Sequence, residues 1–325
     1  MIISKTPFRM SFFGGGTDIP DFFNEYGGSV ISTTFNKYCY VNLRPLPKFH
    51  NYSSEVIYNK IERVNSIEEI KHPLIRECMM QNNVNGIKLT YEAELPARSG
   101  LGSSSTFAVG MLNAIHALKS ETVGKRKLAE EAIKIERELL NEYGGWQDQI
   151  SVSYGGLNRI DFSSIDFSVK PIILSDKRKN ELDDNLLLFY IGMNRMSHEI
   201  QTNTFSNMKD KVVYLKEILL LVDEAEKILC DSSKSIDELG VLLGETWKIK
   251  RSMGSNITNS TIDDVYSTGI SAGALGGKLL GAGGGGFILF YCQKEKQNEL
   301  RKKLNNMVEV PFTFEDKGTH ILYYG

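Results

Sequence analysis

The segment Pro96-Ala-Arg-Ser-Gly-Leu-Gly-Ser-Ser-Ser105, followed by a largely apolar run from Thr106 to Leu118, decides how the rest of the chain is interpreted. Gly100 and Gly102 allow a tight turn and a close approach of the backbone to an anion. The serines that follow place hydroxyl groups and unpaired amides where a helix begins, and the positive end of a helix attracts negative charge. The segment therefore predicts a phosphate-binding loop at a helix N-terminus.

A serine-rich helix cap without a ligand is the alternative interpretation, and it accounts for the serines but not for the two glycines before them. The segment is also not a Walker A sequence. That pattern, G-x-x-x-x-G-K-[ST], requires a lysine where Ser103 stands. If the loop binds phosphate, the charge that neutralises the phosphate must come from another part of the chain.

Composition limits the classes of partner. The 325 residues carry 38 Lys+Arg and 40 Asp+Glu, a formal net charge of −2, which favours neither nucleic acid nor a membrane surface. The four cysteines lack the spacing of a metal site, and no segment has the pattern of a signal peptide or a membrane span. We therefore expect a cytoplasmic protein that acts on small molecules, as a monomer or a homodimer.

Hydrophobic periodicity predicts a mixed α+β chain without internal repeats or a low-complexity linker. Strands are predicted over 2–13, 29–43, 85–94, 155–162, 186–191, 287–292 and 320–324. Helices are predicted over 104–119, 125–142, 203–229, 236–250, 261–274 and 294–307. The strand over 85–94 leads directly into the predicted phosphate-binding loop, and the length suggests about two domains.

Three motifs resemble those of the GHMP kinases, the superfamily of galactokinase, homoserine kinase, mevalonate kinase and phosphomevalonate kinase. Segment 96–105 resembles the central motif, and Pro7-Phe-Arg-Met-Ser-Phe-Phe-Gly-Gly-Gly-Thr-Asp-Ile-Pro20 resembles the first. The third resemblance lies in Gly276-Gly-Lys-Leu-Leu-Gly-Ala-Gly-Gly-Gly-Gly-Phe287. The resemblance implies a two-domain α+β fold, with a ribosomal-protein-S5-like N-terminal domain over 1–180 and a ferredoxin-like C-terminal domain over 181–325.

The resemblance also implies that ATP is bound by the central and third motifs. The residues carried over are Pro96, Arg98, Ser99, Gly100, Leu101, Gly102, Ser103, Ser104 and Ser105, together with Gly283 of the third motif. In the family this last glycine-rich turn lies against the phosphate loop. The third motif also contains the letters G-x-G-x-x-G, but a dinucleotide-binding fingerprint follows a strand and opens a helix, and here the predicted order is reversed.

Catalytic and metal-binding residues follow from the same resemblance. Gly144-Gly-Trp-Gln-Asp-Gln149 resembles the segment that holds the catalytic aspartate of the family, which makes Asp148 the candidate base and Arg9 the cation expected beside it. Mg²⁺ would be held by Ser104 and Glu136, and such a small ligand set suffices because this ion keeps waters and takes phosphate oxygens. An exposed helix charge paired one turn away is the competing interpretation of Glu136.

The first motif implies where a sugar is bound. Asp18 matches the aspartate that binds sugar hydroxyls in galactokinases, whereas Gly15 and Gly16 replace their glutamate and histidine, so galactose is a poor candidate. A local cap or turn before Pro20 is the alternative role of Asp18. The overall pattern is most similar to the sugar-1-kinases for heptose and fucose, which implies ATP-dependent phosphorylation of the anomeric hydroxyl of D-glycero-D-manno-heptose 7-phosphate to the 1,7-bisphosphate.

A sugar phosphate requires a second anion site, and Gly192-Met-Asn-Arg-Met-Ser-His198 offers Arg195 and the Ser197 hydroxyl for it. Further candidates for this phosphate are Lys248, Lys250 and Arg251. Two alternatives stay open: a kinase of the L-fucose type, which needs no second anion site, and a sensor of sugars or nucleotides that has lost catalysis. The retention of Asp148, Glu136 and Ser104 weighs against the sensor.

Overall fold

The computed structural model describes residues 1–97, 99–193, 208–254 and 256–325, and over these ranges it confirms the α+β class. The strands are β1 (Ile2–Phe13), β2 (Gly28–Pro45), β3 (Ser54–Ile57), β4 (Ile61–Val64), β5 (Ile87–Ala93), β6 (Asn158–Phe162), β7 (Phe167–Pro171), β8 (Leu186–Met193), β9 (Gly276–Leu279), β10 (Gly285–Tyr291), β11 (Val308–Glu309), β12 (Phe314–Glu315) and β13 (His320–Tyr324). The helices are α1 (Pro20–Tyr26), α2 (Pro73–Gln81), α3 (Ser103–Leu118), α4 (Lys125–Ile133), α5 (Gln147–Tyr154), α6 (Asp176–Asp184), α7 (Met208–Cys230), α8 (Asp237–Ser252), α9 (Ser260–Ser271) and α10 (Gln297–Lys303).

The described strands form two sheets. The first has the order β13-β1-β2-β5-β3-β4, with β12 and β6 also paired to β2 and β7 paired to β6. The second has the order β11-β8-β10-β9. Because β12 and β13 pair with β2 and β1, the end of the predicted domain over 181–325 contributes strands to the first sheet. The division after residue 180 stays a prediction.

Strand β1 connects the two halves of the molecule. Side chains alternate between its faces, so Phe8, Met10 and Phe12 lie in a core that also contains residues of the second half such as Leu243 and Leu280. The residues between them, at positions 9 and 11, are turned to the other side of the strand. The first sequence motif is therefore held at the junction of the two halves.

Helix α3 packs on β1 through a glycine. Ala108, Met111 and Ile115 are fully buried, and Gly110 lies so close to the strand that the Ser4 hydroxyl donates a 2.7 Å hydrogen bond to its carbonyl oxygen. A Cβ atom at Gly110 would lie 2.7 Å from Thr6 Oγ1. This close approach sets the distance between the strand of the first motif and the helix that the central motif begins.

The third motif is a hairpin that rests on the central motif. It comprises β9 and β10 with the turn between them. A Cβ at Gly281 would lie 2.3 Å from the Cα of Gly100, and a Cβ at Gly286 would lie 2.3 Å from the carbonyl oxygen of Ser99. Both glycines have positive φ, +82° and +108°. The expected contact between the glycine-rich turn and the phosphate loop is confirmed, and it requires glycine on both sides.

Several element boundaries differ from the prediction. The helix predicted over 125–142 ends at Ile133 and continues as a π-helical turn over Lys134–Leu139, and the helix predicted over 294–307 shortens to α10. The first residues of the helix predicted over 203–229 lie outside the described residues. Sequence periodicity missed α1, α2, α5 and α6, which are short and have little continuous apolar face. No helix in the described part of the chain is long and apolar enough to cross a membrane.

Replacing Gly110 with alanine is expected to lower the free energy of unfolding by about 1–3 kcal/mol, the usual cost of overpacking. The loss should occur although alanine is the better helix former by about 1 kcal/mol. Urea denaturation of Gly110→Ala, Thr6→Ala and the double variant measures the effect. Because Thr6→Ala removes the atom nearest to the new Cβ, Gly110→Ala should lower the free energy of unfolding only slightly in the Thr6→Ala background. An equal cost in both backgrounds would contradict this packing account.

Candidate active site

The central motif forms a loop that ends at the N-terminus of α3. Gly100 and Gly102 have φ of +85° and +76°, in the left-handed region that favours glycine. Gly102 is the cap residue of α3 and has no side chain with which to cap the helix. The Ser99 hydroxyl donates to the Pro96 carbonyl at 2.7 Å, and Leu101 is fully buried. The backbone amides in the first turn of α3 therefore lie at the end of this loop. A helix N-terminus in this arrangement binds a phosphate group.

An ion pair between Arg9 and Asp148 lies directly beside this loop. The Arg9 guanidinium donates from Nε to Asp148 Oδ1 and from Nη2 to Oδ2, both at 2.8 Å. Its third nitrogen, Nη1, donates to the carbonyl oxygen of Gly100 at 2.7 Å. A Cβ atom at Gly102 would lie 3.2 Å from Asp148 Oδ2. The proximity of Arg9 and Asp148 expected from the sequence is confirmed, and one arginine fixes both the carboxylate and the loop.

The two members of this pair differ in exposure. Arg9 is 5% exposed and Asp148 is 21% exposed, so the carboxylate is the more accessible of these two groups in the cleft that both residues line. Asp148 lies in the first turn of α5, the short helix that follows Gly144 and Gly145. A carboxylate held by two parallel hydrogen bonds and open on one side is suited to receive a proton from a bound hydroxyl group.

The second carboxylate of the cleft, Asp18, is buried and held by the backbone. It accepts hydrogen bonds from the amides of Gly16 at 2.9 Å and Gln147 at 3.2 Å. A Cβ at Gly145 would lie 1.8 Å from Asp18 Oδ2, so only glycine fits there. Burial raises the pKa of Asp18, as does the negative charge of Asp148, while the two amide hydrogen bonds act in the opposite direction. Asp18 is thus a fixed acceptor for polar groups that enter the cleft.

The cleft itself lies between the two halves of the chain. It is lined by Arg9, Ser11, Gly15, Gly16, Asp18, Ile19, Arg137, Tyr143, Gly144, Gly145, Gln147, Asp148, Lys250, Lys278, Gly281 and Ala282. A Cβ at Gly15 would meet Ser11 Oγ at 3.5 Å and Gln147 Nε2 at 3.7 Å, which are ordinary contacts. Gly15 therefore leaves space that a larger side chain would occupy.

Two buried oxygen atoms of cleft residues have no hydrogen-bond partner among the described residues. They are Ser11 Oγ and Gln147 Oε1. A buried polar atom without a partner is costly, so both atoms can accept a hydrogen bond that the described residues do not supply. Neither residue has a sequence signal beyond its place in a motif. Alternation along β1 would have assigned Ser11 to the same face as Arg9.

Glu136 is buried in the π-helical turn and is not a solvated helix charge. Its Oε2 accepts hydrogen bonds from Ser105 Oγ at 2.7 Å and Gln149 Nε2 at 2.5 Å. Its Oε1 is buried without a partner among the described residues, and Ser104 is exposed in the first turn of α3. The serine in contact with Glu136 is Ser105, and the unsatisfied carboxylate oxygen is a ligand of the kind that Mg²⁺ prefers, an ion that needs few protein ligands when phosphates supply the rest. The described residues contain no group of three or more acidic, histidine or cysteine side chains placed to hold a metal.

Two lysines from the second half of the chain enter the cleft. Lys250 Nζ donates to the carbonyl oxygen of Gly281, and Lys278 Nζ donates to that of Phe12 at 2.7 Å. Burial lowers the pKa of Lys250 to about 8, helped by the positive charge of Arg9 and opposed by Asp18. Burial also lowers the pKa of Lys278. Of the three further candidates for the sugar phosphate, Lys250 is the residue that lines the cleft, and Lys248 is exposed.

Some predicted positions are not placed in the site. Arg98, Arg195 and Ser197 lie outside the described residues. A Cβ at Gly283 would lie 2.9 Å from the Cα of Ile257, so this glycine packs on Ile257, while Gly281 faces the phosphate loop. The binding of ATP by Gly283 stays a prediction.

Comparisons with known proteins agree with this geometry. The sequence profile of the GHMP kinases N terminal domain matches residues 65–156, and that of the GHMP kinases C terminal domain matches residues 223–310. D-glycero-alpha-D-manno-heptose 7-phosphate kinase of Campylobacter jejuni is 25% identical, and the match covers 93% of each chain. The bifunctional fucokinase/GDP-fucose pyrophosphorylase of Arabidopsis thaliana is 26% identical over 94% of this chain, which spans 31% of that protein.

Solved structures show the same fold. A D-glycero-D-manno-heptose 1-phosphate kinase from Bacteroides thetaiotaomicron superimposes with a TM-score of 0.80 over the whole of both chains, at 24% identity. This structural similarity shows the fold, and it extends over both predicted halves of the chain. Because the two matching profiles are the two parts of one family and together span more than half of the chain, the protein belongs to the GHMP kinases, phosphotransferases whose acceptor is an alcohol group.

Proposed function

We propose that this GHMP kinase transfers the γ-phosphate of ATP to the anomeric hydroxyl of D-glycero-D-manno-heptose 7-phosphate and produces the 1,7-bisphosphate. The observation that carries the kinase chemistry is the position of Asp148, which lies against Gly102 of the phosphate loop and opens into the cleft of Asp18. The Campylobacter jejuni kinase, aligned over 93% of each chain, supports the substrate.

Asp148 takes the proton of the acceptor hydroxyl as the hydroxyl oxygen attacks the γ-phosphorus. The bond between the γ-phosphorus and the oxygen that bridges it to the β-phosphate breaks, and ADP leaves. The bidentate contact with Arg9 fixes the carboxylate, and the second role of Arg9 at the Gly100 carbonyl fixes the distance between the base and the loop. Phosphoryl transfer depends mainly on positioning and on charge stabilisation. Arg9 holds the base beside the phosphate loop and thereby meets the requirement for positioning.

The sugar is held at the Asp18 end of the cleft. Each oxygen of Asp18 accepts one backbone amide and retains a lone pair for a sugar hydroxyl. Ser11 Oγ and Gln147 Oε1, which lack partners, are the further groups proposed to bind hydroxyls. Gly15 and Gly16 leave room for the ring. The phosphate of the sugar is assigned to Arg195 and Ser197, which lie outside the described residues.

The proposed Mg²⁺ site consists of Ser104 and the free oxygen of Glu136. When bound with the nucleotide, the ion would neutralise charge on the phosphate oxygens. Ser105 and Gln149 hold the other oxygen of Glu136 and thereby aim the free one. ATP itself is proposed to lie on the segment from Pro96 to Ser105.

A kinase of the L-fucose type is the second candidate. The match to the Arabidopsis thaliana fucokinase covers 94% of this chain at 26% identity, which is as close in sequence as the heptose kinase over a comparable length. The intact pair of Arg9 and Asp148 argues against a sensor without catalysis, because a sensor has no use for a fixed base.

The substrate is tested by ADP release from Mg-ATP with D-glycero-D-manno-heptose 7-phosphate, mannose, L-fucose and galactose compared side by side. Selective turnover of the heptose phosphate is expected. Preference for a free sugar would support a kinase that has no second phosphate site. No turnover with any of the four sugars would favour the sensor without catalysis.

Replacing Asp148 with asparagine should lower kcat by about 10²-fold or more, since an amide cannot take the proton, while ATP still binds. Steady-state kinetics and calorimetric ATP binding measure the two effects. Glu138→Gln removes an exposed carboxylate from the neighbouring helical turn and should behave like the wild type. Turnover of Asp148→Asn at the wild-type rate would remove Asp148 as the base.

Replacing Ser104 with alanine should raise the magnesium concentration needed for half-maximal activity, because one ligand is lost. A magnesium titration at fixed ATP measures the shift. Ser260→Ala, at the first turn of α9, is the matched control and should leave the titration unchanged. An unaltered titration for Ser104→Ala would exclude Ser104 from the metal site.

A further inference from the structure

The phosphate loop lacks the lysine that other phosphate loops use. Ser103 occupies the place after the last glycine, and the first turn of α3 offers hydroxyl groups and amides. The γ-phosphate that leaves ATP carries charge that must be balanced while the bond to the acceptor forms. The loop's own arginine, Arg98, lies outside the described residues, so among the described residues a cation close to that group must come from outside the loop.

Lys250 reaches this place from the second half of the chain. It lies near the C-terminal end of α8, and its Nζ donates to the carbonyl oxygen of Gly281 in the turn of the β9–β10 hairpin. That turn touches the phosphate loop, where a Cβ on Gly281 would lie 2.3 Å from the Cα of Gly100. A single glycine therefore separates the lysine from the loop, and Lys250 and Gly281 line the same cleft as Arg9 and Asp148.

No carboxylate among the described residues forms an ion pair with Lys250, although the charge of Asp18 acts on it from a distance. The hydrogen-bond partner of Lys250 in the described part of the chain is the Gly281 carbonyl, which leaves two N–H groups of the ammonium to donate to a ligand. Arg9, Arg137 and Lys278 also line the cleft, against the two carboxylates Asp18 and Asp148. Buried cations that exceed their carboxylates are costly for the fold, and an anionic ligand relieves that cost.

We propose that Lys250 binds the phosphoryl group in transfer and supplies the cation that the loop lacks at Ser103. The proposal rests on the kinase function above. It assigns Lys250 to the reacting phosphate and not to the phosphate of the sugar substrate, because the contact of Lys250 is with the turn that touches the phosphate loop. Lys250 stays protonated throughout, and the acceptor proton goes to Asp148.

The test compares Lys250→Met, Lys250→Arg and the control Lys302→Met, which removes an exposed lysine of α10. Lys250→Met should lower kcat by about 10²-fold with every sugar that the wild type accepts. Without any sugar, it should reduce the preference for ATP over ADP by roughly tenfold, measured by calorimetry, because ADP lacks the γ-phosphate. Lys250→Arg should lose less kcat and less ATP preference than Lys250→Met, and Lys302→Met should match the wild type.

The binding measurement separates this proposal from the proposed substrate. If no sugar in the panel is turned over, the ATP preference still reports on Lys250. A Lys250→Met variant with a raised KM for the sugar phosphate alone, and with kcat and the ATP preference unchanged, would place Lys250 at the sugar phosphate and overturn the proposal. Wild-type values for all three quantities would overturn it equally.

Folding of the variant is checked by thermal unfolding. Because burial lowers the pKa of Lys250 to about 8, the folded state binds this proton more weakly than the unfolded state. The contribution of Lys250 to the free energy of unfolding of the wild type should therefore increase between about pH 8 and pH 10.5. At pH 7, Lys250→Met should have the larger free energy of unfolding. A variant less stable than the wild type at pH 7 would contradict the claim that this charge is uncompensated.

Discussion

The guanidinium of Arg9 is the contact on which the site depends. Two of its nitrogens hold Asp148 and the third holds the carbonyl oxygen of Gly100, so a strand, a helix start and the phosphate loop meet at one side chain. The strand positions Arg9 because the residues on either side of it, Phe8 and Met10, are fully buried in the core shared by both halves. Catalytic geometry is thus tied to the packing of the whole molecule.

Glycine residues allow the loops that surround the site to pack closely against one another. Gly100 and Gly281 meet backbone to backbone, and Gly145 makes room for the carboxylate of Asp18. Each contact excludes even a single methyl group, and Lys250 donates to the carbonyl of Gly281, the glycine that packs on Gly100. The cations gathered in this cleft oppose stability and favour an anionic ligand, a balance that is common at active sites.

The sequence predicted the parts of the site that lie within motifs. Arg9 and Asp148 were expected together, and the helix after the loop was placed within one residue. The hydrogen bond from Ser105 to Glu136 was not predicted, because the sequence does not show which of the three serines has its side chain directed towards Glu136. Lys250 could not be singled out from Lys248 either. Its contact with Gly281 depends on how α8 packs against the hairpin, and this long-range packing has no local signal.

The most direct test of the account is a crystal structure with a non-hydrolysable ATP analogue, magnesium and D-glycero-D-manno-heptose 7-phosphate. The account predicts the γ-phosphate at the first turn of α3 and the anomeric oxygen about 2.6–3.2 Å from the Asp148 carboxylate. A sugar bound with its anomeric oxygen away from Asp148, or a nucleotide outside the loop that ends at Ser103, would contradict it.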